Sequence, residues 1–263
     1  MALHFAEALT APEFAGLVAP DLIAILPVAA IEPHGPHLPL STDCDIARGH
    51  LGALGDYLGP DRDVLVLPLQ TIGHSLEHMP FAGTFTHGAE TLLAMWSDVV
   101  RPFRVAGGRR LIVVSSHGGN SEVVGLLVTR LRAEFGMLAV SAAWMRFGQP
   151  EGVFAPEELS HGIHGGDIET SLMLHYRPDA VRRTALADFP SKAADWDAGA
   201  DWLKFHGRTR PGWLSRDLNA EGAVGNALLA TAEKGAASAH RALTGFVQLI
   251  EEVARFDIGG WSA

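Results

Sequence analysis

Short apolar runs alternate with longer amphipathic ones along this chain. The run Asp21-Leu-Ile-Ala-Ile-Leu-Pro-Val-Ala, after Pro20, has almost no polar position, as a strand covered on both faces requires. Asp63-Val-Leu-Val-Leu-Pro, Arg110-Leu-Ile-Val-Val-Ser and Met137-Leu-Ala-Val-Ser-Ala-Ala-Trp predict three more such strands. Apolar residues at three- and four-residue spacing predict helices over 45–57, 89–106, 121–135, 168–176 and 227–255. Strand and helix in alternation predict an α/β fold with a parallel sheet between helical layers. Ligands of such folds sit beyond the C-terminal ends of the strands.

The polar motifs fall at those strand ends. The first run leads into Ile31-Glu32-Pro33-His34-Gly35-Pro36-His37, and Asp43 follows at the start of the next helix. Glu32 and His34 are two apart, so in an extended segment they share a side. A later strand ends in Ser116-His117-Gly118-Gly119-Asn120, and a third cluster runs from His161 through His164, Gly165 and Gly166 to Glu169. Glu, His, Asp, His and Glu at three strand–helix junctions form a mixed nitrogen and oxygen set suited to zinc or manganese. Each piece alone has a plainer reading. Asp43 suits a helix N-cap, and His117-Gly-Gly-Asn suits a tight turn. Their convergence favours the site.

Composition narrows the classes. With 48% hydrophobic and 19% charged residues among 263, the chain can bury a substantial core, and residues 1–263 are read as a single domain. A formal charge of −10 without a run of Lys or Arg argues against nucleic-acid binding and docking on anionic membranes. The longest apolar stretch, 22–31, is about half of what a membrane-spanning helix needs. No basic segment precedes an apolar run near the N-terminus, and Cys44 has no second cysteine to pair with. A cytoplasmic location is expected. Nine of the thirteen histidines lie between His34 and His164.

The segment 187–216 departs from the alternation. It mixes Trp196, Trp202, Phe205, His206 and Trp213 with Pro, Gly and Asp without a clean period. It reads equally as a lid or assembly element and as a surface loop with aromatics folded onto the body.

Taken in order, these motifs resemble the creatininase (creatinine amidohydrolase) family. Glu32 to Asp43 meets the signature Glu-Gln-His-Gly-Pro-His-Leu-Pro-Leu-x-Thr-Asp, with Pro33 replacing Gln. Phe81-Ala82-Gly83-Thr84 answers a Pro-Gly-Thr, Ser115 to Asn120 an Asn-Gly-His-Gly-Gly-Asn, and His164 to Ser171 a His-x-Gly-x-x-Glu-Thr-Ser. Ala230 to Gly235 matches Ala-x-x-Glu-Lys-Gly before the closing helix. The resemblance implies a three-layer α/β/α sandwich around a mainly parallel, about four-stranded sheet. It also implies two divalent metal ions per chain (zinc, manganese or both, with iron a further option) and a homo-oligomer, typically a hexamer.

Carried over by position, Glu32, Asp43 and His117 would hold one metal, and His34, Asp43 and a further acidic residue the second. Creatininase has that acidic residue two positions after the strand-end histidine. This chain has Gly119 there, and Glu169 is the substitute expected. His164 matches the catalytic histidine. The family's Trp-Asp pair before that segment is replaced by Ser160 and His161, which argues against creatinine itself as substrate. The expected activity is hydrolysis of a small or cyclic amide C–N bond by metal-activated water. A peptidase, a formamide deformylase and a binding protein without turnover are the alternatives. Backbone N–H groups at Gly118, Gly119 or Gly165 are expected to steady an oxyanion. Glu77 and His78 are read as contacting substrate or as pairing locally.

Overall fold

The apolar runs do become strands, and they pair in parallel. The computed structural model describes residues 2–59, 62–205 and 209–260. Along the chain these form β1 (Leu3–Phe5), α1 (Ala11–Leu17), β2 (Ile23–Val28), α2 (Thr42–Leu54), β3 (Val64–Val66), α3 (Ala89–Val105), β4 (Arg110–Ser115), α4 (Ser121–Phe135) and β5 (Leu138–Ala143). Then come α5 (Pro156–His161), α6 (Asp167–Tyr176), β6 (Asp188–Phe189), α7 (Lys192–Ala198), α8 (Ser215–Leu218), β7 (Gly225–Asn226) and α9 (Ala232–Arg255). The main sheet has the order β1-β3-β2-β4-β5 with every pairing parallel. It has five strands rather than about four. The additional β1 spans three residues, too few to show a period, and is recruited by pairing with β3.

Alternate residues of the strands feed two cores. Ala24, Leu26 and Val28 of β2, with Leu111 and Val113 of β4, pack against Leu92, Trp96, Val100 and Phe103 of α3 and against α4. Ile23 and Ile25, with Ile112 and Val114, pack on the other face against Leu51 and Leu54 of α2 and against Leu243, Phe246 and Ile250 of α9. The result is the α/β/α sandwich. Trp96, Phe103 and Phe246 are fully buried, and truncating any of them to Ala should cost about 3–5 kcal/mol. No helix among the described residues is long and apolar enough to cross a membrane.

A helix packed outside this sandwich carries part of the site. α6 lies against α2 and α9 through Ile168, Leu172, Met173 and Ala239. The close approach of α9 requires Gly235, where a Cβ would run into the Ser171 carbonyl. Thr231 caps α9 by accepting the Lys234 N–H, so the helix begins at residue 232. The 227–255 helix expected from periodicity is therefore shortened, with 227–229 forming a separate 3-10 turn.

The topology also sets where a ligand can sit. From β2 the chain moves to β3 on one side through α2, then returns past β2 to β4 and β5 through α3 and α4. The strand order reverses between β2 and β4, which opens a crevice beyond their C-terminal ends. Glu32 and His34 follow β2, and His117 follows β4.

Candidate metal centre

Beyond β2 the chain stays extended, with the Glu32 N–H donating to the Leu40 carbonyl across the Pro/Gly-rich loop. That closure brings the start of α2 beneath Glu32. Ser41, not Asp43, is the residue preceding α2, so Asp43 lies inside the first turn and does not cap it. Its carboxylate instead stands 3.5 Å from His34 Nε2 and 3.4 Å from His117 Nδ1. Asp45, two residues further along the same turn, is taken up by Ser41, Arg48 and Arg177.

Three histidines converge with one nitrogen each turned to a carbonyl. A carbonyl only accepts, so the nitrogen facing it carries the hydrogen. His34 Nδ1 donates to Glu32 O at 3.1 Å, His117 Nε2 to His74 O at 3.0 Å and His164 Nε2 to Pro33 O at 2.7 Å. The other nitrogen of each ring points at carboxylates: His34 Nε2 at Asp43 and Glu169, His117 Nδ1 at Glu32 and Asp43, His164 Nδ1 at Glu32. Metal-binding histidines are oriented in this way, their outer N–H tied to a carbonyl.

Glu32, His34 and Asp43 are at most 1% exposed. Both Glu32 oxygens, His34 Nε2 and Asp43 Oδ2 nevertheless lack a hydrogen-bond partner. Buried polar atoms left so are costly, and a cluster of them suits the binding of a cation. Three overlapping sets have ligand atoms within 4.8 Å of one another: Glu32, Asp43 and His117; His34, Asp43 and Glu169; Glu32, His34 and His164. The donor set fits divalent zinc or manganese.

The protonation behaviour follows from the same crowding. Burial raises Asp43, with Glu32 adding to it, to about 6. Burial opposes charge on His34, yet Asp43, Glu169 and Glu32 outweigh it and raise the ring to about 9. Glu32 also resists burial and is held well below the usual carboxylate range by His117 and its neighbours. His164 differs, since burial and the neighbouring His34 push it down.

The cluster forms the floor of a cleft of about 520 Å³, with Leu76, Ile163 and Trp213 among its walls and Arg146 and Arg210 beside it. Glu77, His78 and Gly118 line it as well. Glu77 Oε1 stands 3.3 Å from His117 Nε2, and His78 Nε2 3.4 Å from Glu32 Oε1. Both side chains therefore turn toward the cluster. The rings of His34, His164 and His78 form a stack with centroid spacings of 4.0 and 4.1 Å. Gly165 does not behave as expected. Its N–H donates to Glu169 Oε2 at 2.5 Å, so it is engaged and does not face a substrate oxygen. His161 also stays out of the cluster, pairing with Asp197.

The aromatic segment is more ordered than its composition indicates. It contains β6 and α7, Phe205 is buried with Trp213 packed near it, and residues 210–214 reach the cleft. Trp202 is 83% exposed. His206 lies outside the described residues.

Two further buried polar residues, Asn120 and His37, support the site. Asn120 donates to the Ala29 carbonyl and the Ser115 hydroxyl while accepting the His74 N–H, tying the ends of β2 and β4 to the loop whose carbonyl orients His117. His37 Nε2 lies 2.9 Å from the Gly165 carbonyl and 3.0 Å from the Thr170 hydroxyl, bracing the turn into α6. Their polar identity at buried positions was the available signal. Apart from Ser115, their partners lie dozens of residues away, beyond any local pattern.

Known proteins are similar to this chain in sequence and fold. Residues 7–250 match the creatininase family, creatinine amidohydrolase. The mycofactocin precursor peptide peptidase of Mycolicibacterium smegmatis (strain ATCC 700084 / mc(2)155) is 34% identical over 161 residues, 60% of each chain. The match thus spans less than two thirds of that relative's length. The creatinine amidohydrolase of Pseudomonas putida is 29% identical over 207 residues, 71% of this chain and 76% of that one. Among solved structures, a putative creatinine amidohydrolase from Bacteroides fragilis NCTC 9343 superposes with a TM-score of 0.78 at 27% identity, covering 97% of both chains. An E122Q mutant creatininase of Zn-Zn type gives 0.75 at 25% identity, covering 94% of this chain and 97% of that one. On the extent of the family match and the full-length structural likeness, this chain belongs to the creatininase family of hydrolases.

Proposed function

We propose that the protein is a dinuclear metal-dependent amidohydrolase. One observation carries the reading: buried Glu32, His34 and Asp43 leave bare ligand atoms facing one another, with His117 and Glu169 completing two sets that share Asp43. In the proposed assignment Glu32, Asp43 and His117 hold one ion, and His34, Asp43 and Glu169 the other. Two divalent ions bound there supply a nucleophile at neutral pH and polarise the scissile carbonyl.

The chain's own residues do the rest. His164 keeps its Nε2 hydrogen on the Pro33 carbonyl, so only Nδ1 is available to hold or pass a proton at the floor of the cleft. A ring held below its ordinary pKa releases that proton readily to a leaving nitrogen. Glu77 and His78 border the same space and would orient the substrate amide. Trp213, on the cleft wall, would help exclude water, and exposed Trp202 is proposed to pack on a neighbouring subunit of a homo-oligomer.

A peptide substrate is the second reading. A cleft of about 520 Å³ has room for more than one small ring, and a relative over 60% of the chain is named a peptide peptidase. The test is a hydrolysis screen of cyclic amides, formamides and short peptides with metal-loaded protein, paired with metal analysis. Close to two ions per chain and activity abolished by chelator are expected. Full activity in metal-free protein would refute the proposal.

A further inference from the structure

Behind the cleft sits a buried carboxylate with no role in the proposed reaction. Glu158, on α5, is 6% exposed and is absent from the cleft lining. Its Oε1 accepts the Ile168 N–H at 3.0 Å and its Oε2 the Asn226 N–H at 3.3 Å. Ile168 lies in the first turn of α6, where the preceding Gly166 provides no side-chain cap. Glu158 thus caps that helix from another element, satisfying a donor that the helix itself leaves open.

Its second bond reaches the strand beside His164. Asn226 belongs to β7, and two residues earlier Val224 exchanges backbone hydrogen bonds with His164, at 3.2 and 2.6 Å. The backbone is shaped around this carboxylate. A Cβ at Gly162, Gly166 or Gly225 would stand under 3.0 Å from a Glu158 oxygen. Burial, reinforced by Asp167 and Glu169, raises Glu158 to about 7 against the two N–H donors, so the group is kept inside at a cost.

We propose that Glu158 is a positioning residue. Its carboxylate clamps the first turn of α6 to the 224–226 strand and so sets Glu169 and His164 against the cluster of Glu32, His34 and Asp43. The expected effect on metal binding rests on the two-metal reading above. Glu158→Gln keeps the shape but turns one acceptor into a donor facing a donor. That change should move Glu169, leaving Glu32 and His117 in place.

The test combines metal titration, cobalt absorption spectra and hydrogen exchange. In E158Q the ion held by His34, Asp43 and Glu169 should bind about 10–100-fold more weakly, while the other ion keeps its affinity. The cobalt spectrum should change for that ion alone, and kcat should fall with little change in KM. Wild-type affinity for both ions together with unchanged kcat would overturn the proposal, and so would equal weakening of both ions. Should E158Q not fold, wild-type hydrogen exchange decides. The Ile168 and Asn226 amides should be strongly protected, and exchange as fast as exposed loop amides would overturn the clamp. A wild-type protein that binds no divalent ion would overturn the two-metal reading instead, leaving that exchange experiment to judge Glu158.

Discussion

Buried histidines occur in two regions of this molecule, and their nitrogens are used differently. In the helical layer His50 of α2 pairs its Nδ1 with the Tyr176 hydroxyl at 2.9 Å and packs its ring on Trp144. Nearby, the buried Asp167 carboxylate accepts from Ser171 and Lys234. His50 and Asp167 thus have partners within the protein that lock helices together. At the ends of β2 and β4 the burial is as deep, yet His34, Glu32 and Asp43 present atoms without partners. Burial alone therefore does not distinguish structure from site. Between His50 and Asp167 on one side and His34, Glu32 and Asp43 on the other, the difference is whether the protein itself completes the hydrogen bonding.

Replacements at the strand ends should separate the two regions most widely. Asp43→Ala should release both ions and lower kcat/KM by about 10³-fold or more, since metal ions supply several kcal/mol of transition-state stabilisation. Asp45→Ala, whose carboxylate serves Arg48 and Arg177, should retain them. Metal analysis of the two proteins checks this, and equal loss would remove Asp43 as the shared ligand. Glu77→Gln comes next. With the carboxylate beside His117 Nε2 neutralised, metal affinity should drop about 10-fold. Isothermal titration measures it, and unchanged affinity would leave Glu77 to substrate alone.

In the helical layer the loss should be one of stability. His50→Leu leaves the Tyr176 hydroxyl without its partner and should cost about 1–3 kcal/mol in urea denaturation with metal content unchanged. Metal loss in that variant would blur the contrast. Acid sharpens the same point. Burial pushes His50 down to about 3 from its ordinary 6.5, so between these values the unfolded chain binds a proton that the native state refuses. Stability contributed by neutral His50 is present above pH 6.5 and is lost as the pH falls toward 3, by up to about 1.4 kcal/mol per pH unit. Denaturation curves from pH 7 to pH 4 should be steeper for wild type than for His50→Leu. Identical slopes would place the acid sensitivity elsewhere.

Much of the sheet was legible in the amino-acid order. Strand 110–115 and helix 121–135 have their expected bounds, because continuous apolar runs and a 3.6-residue period act over neighbouring residues. The start of α2 was less legible. The helix was expected from Asp45, but it begins at Thr42 and takes in Asp43. Two acidic residues in a first turn suit a helix start equally well. α7 was hidden for a related reason, since seven residues show a single apolar turn around Ala193 and Trp196.

The sequence by itself determined the parallel α/β architecture, the strand ends where chemistry gathers and the residue types gathered there. Periodicity and motif spacing are local, and they survive in a one-dimensional string. Only the tertiary structure decided that Asp43 faces His34 and His117 while Asp45 faces arginines. It also decided that Gly165 gives its N–H to Glu169, and that Glu158 holds α6 and the 224–226 strand together. Those outcomes depend on which atoms meet across separations of up to 132 residues, as between Asp45 and Arg177. Chain closure and packing select such partners, and no local preference encodes them.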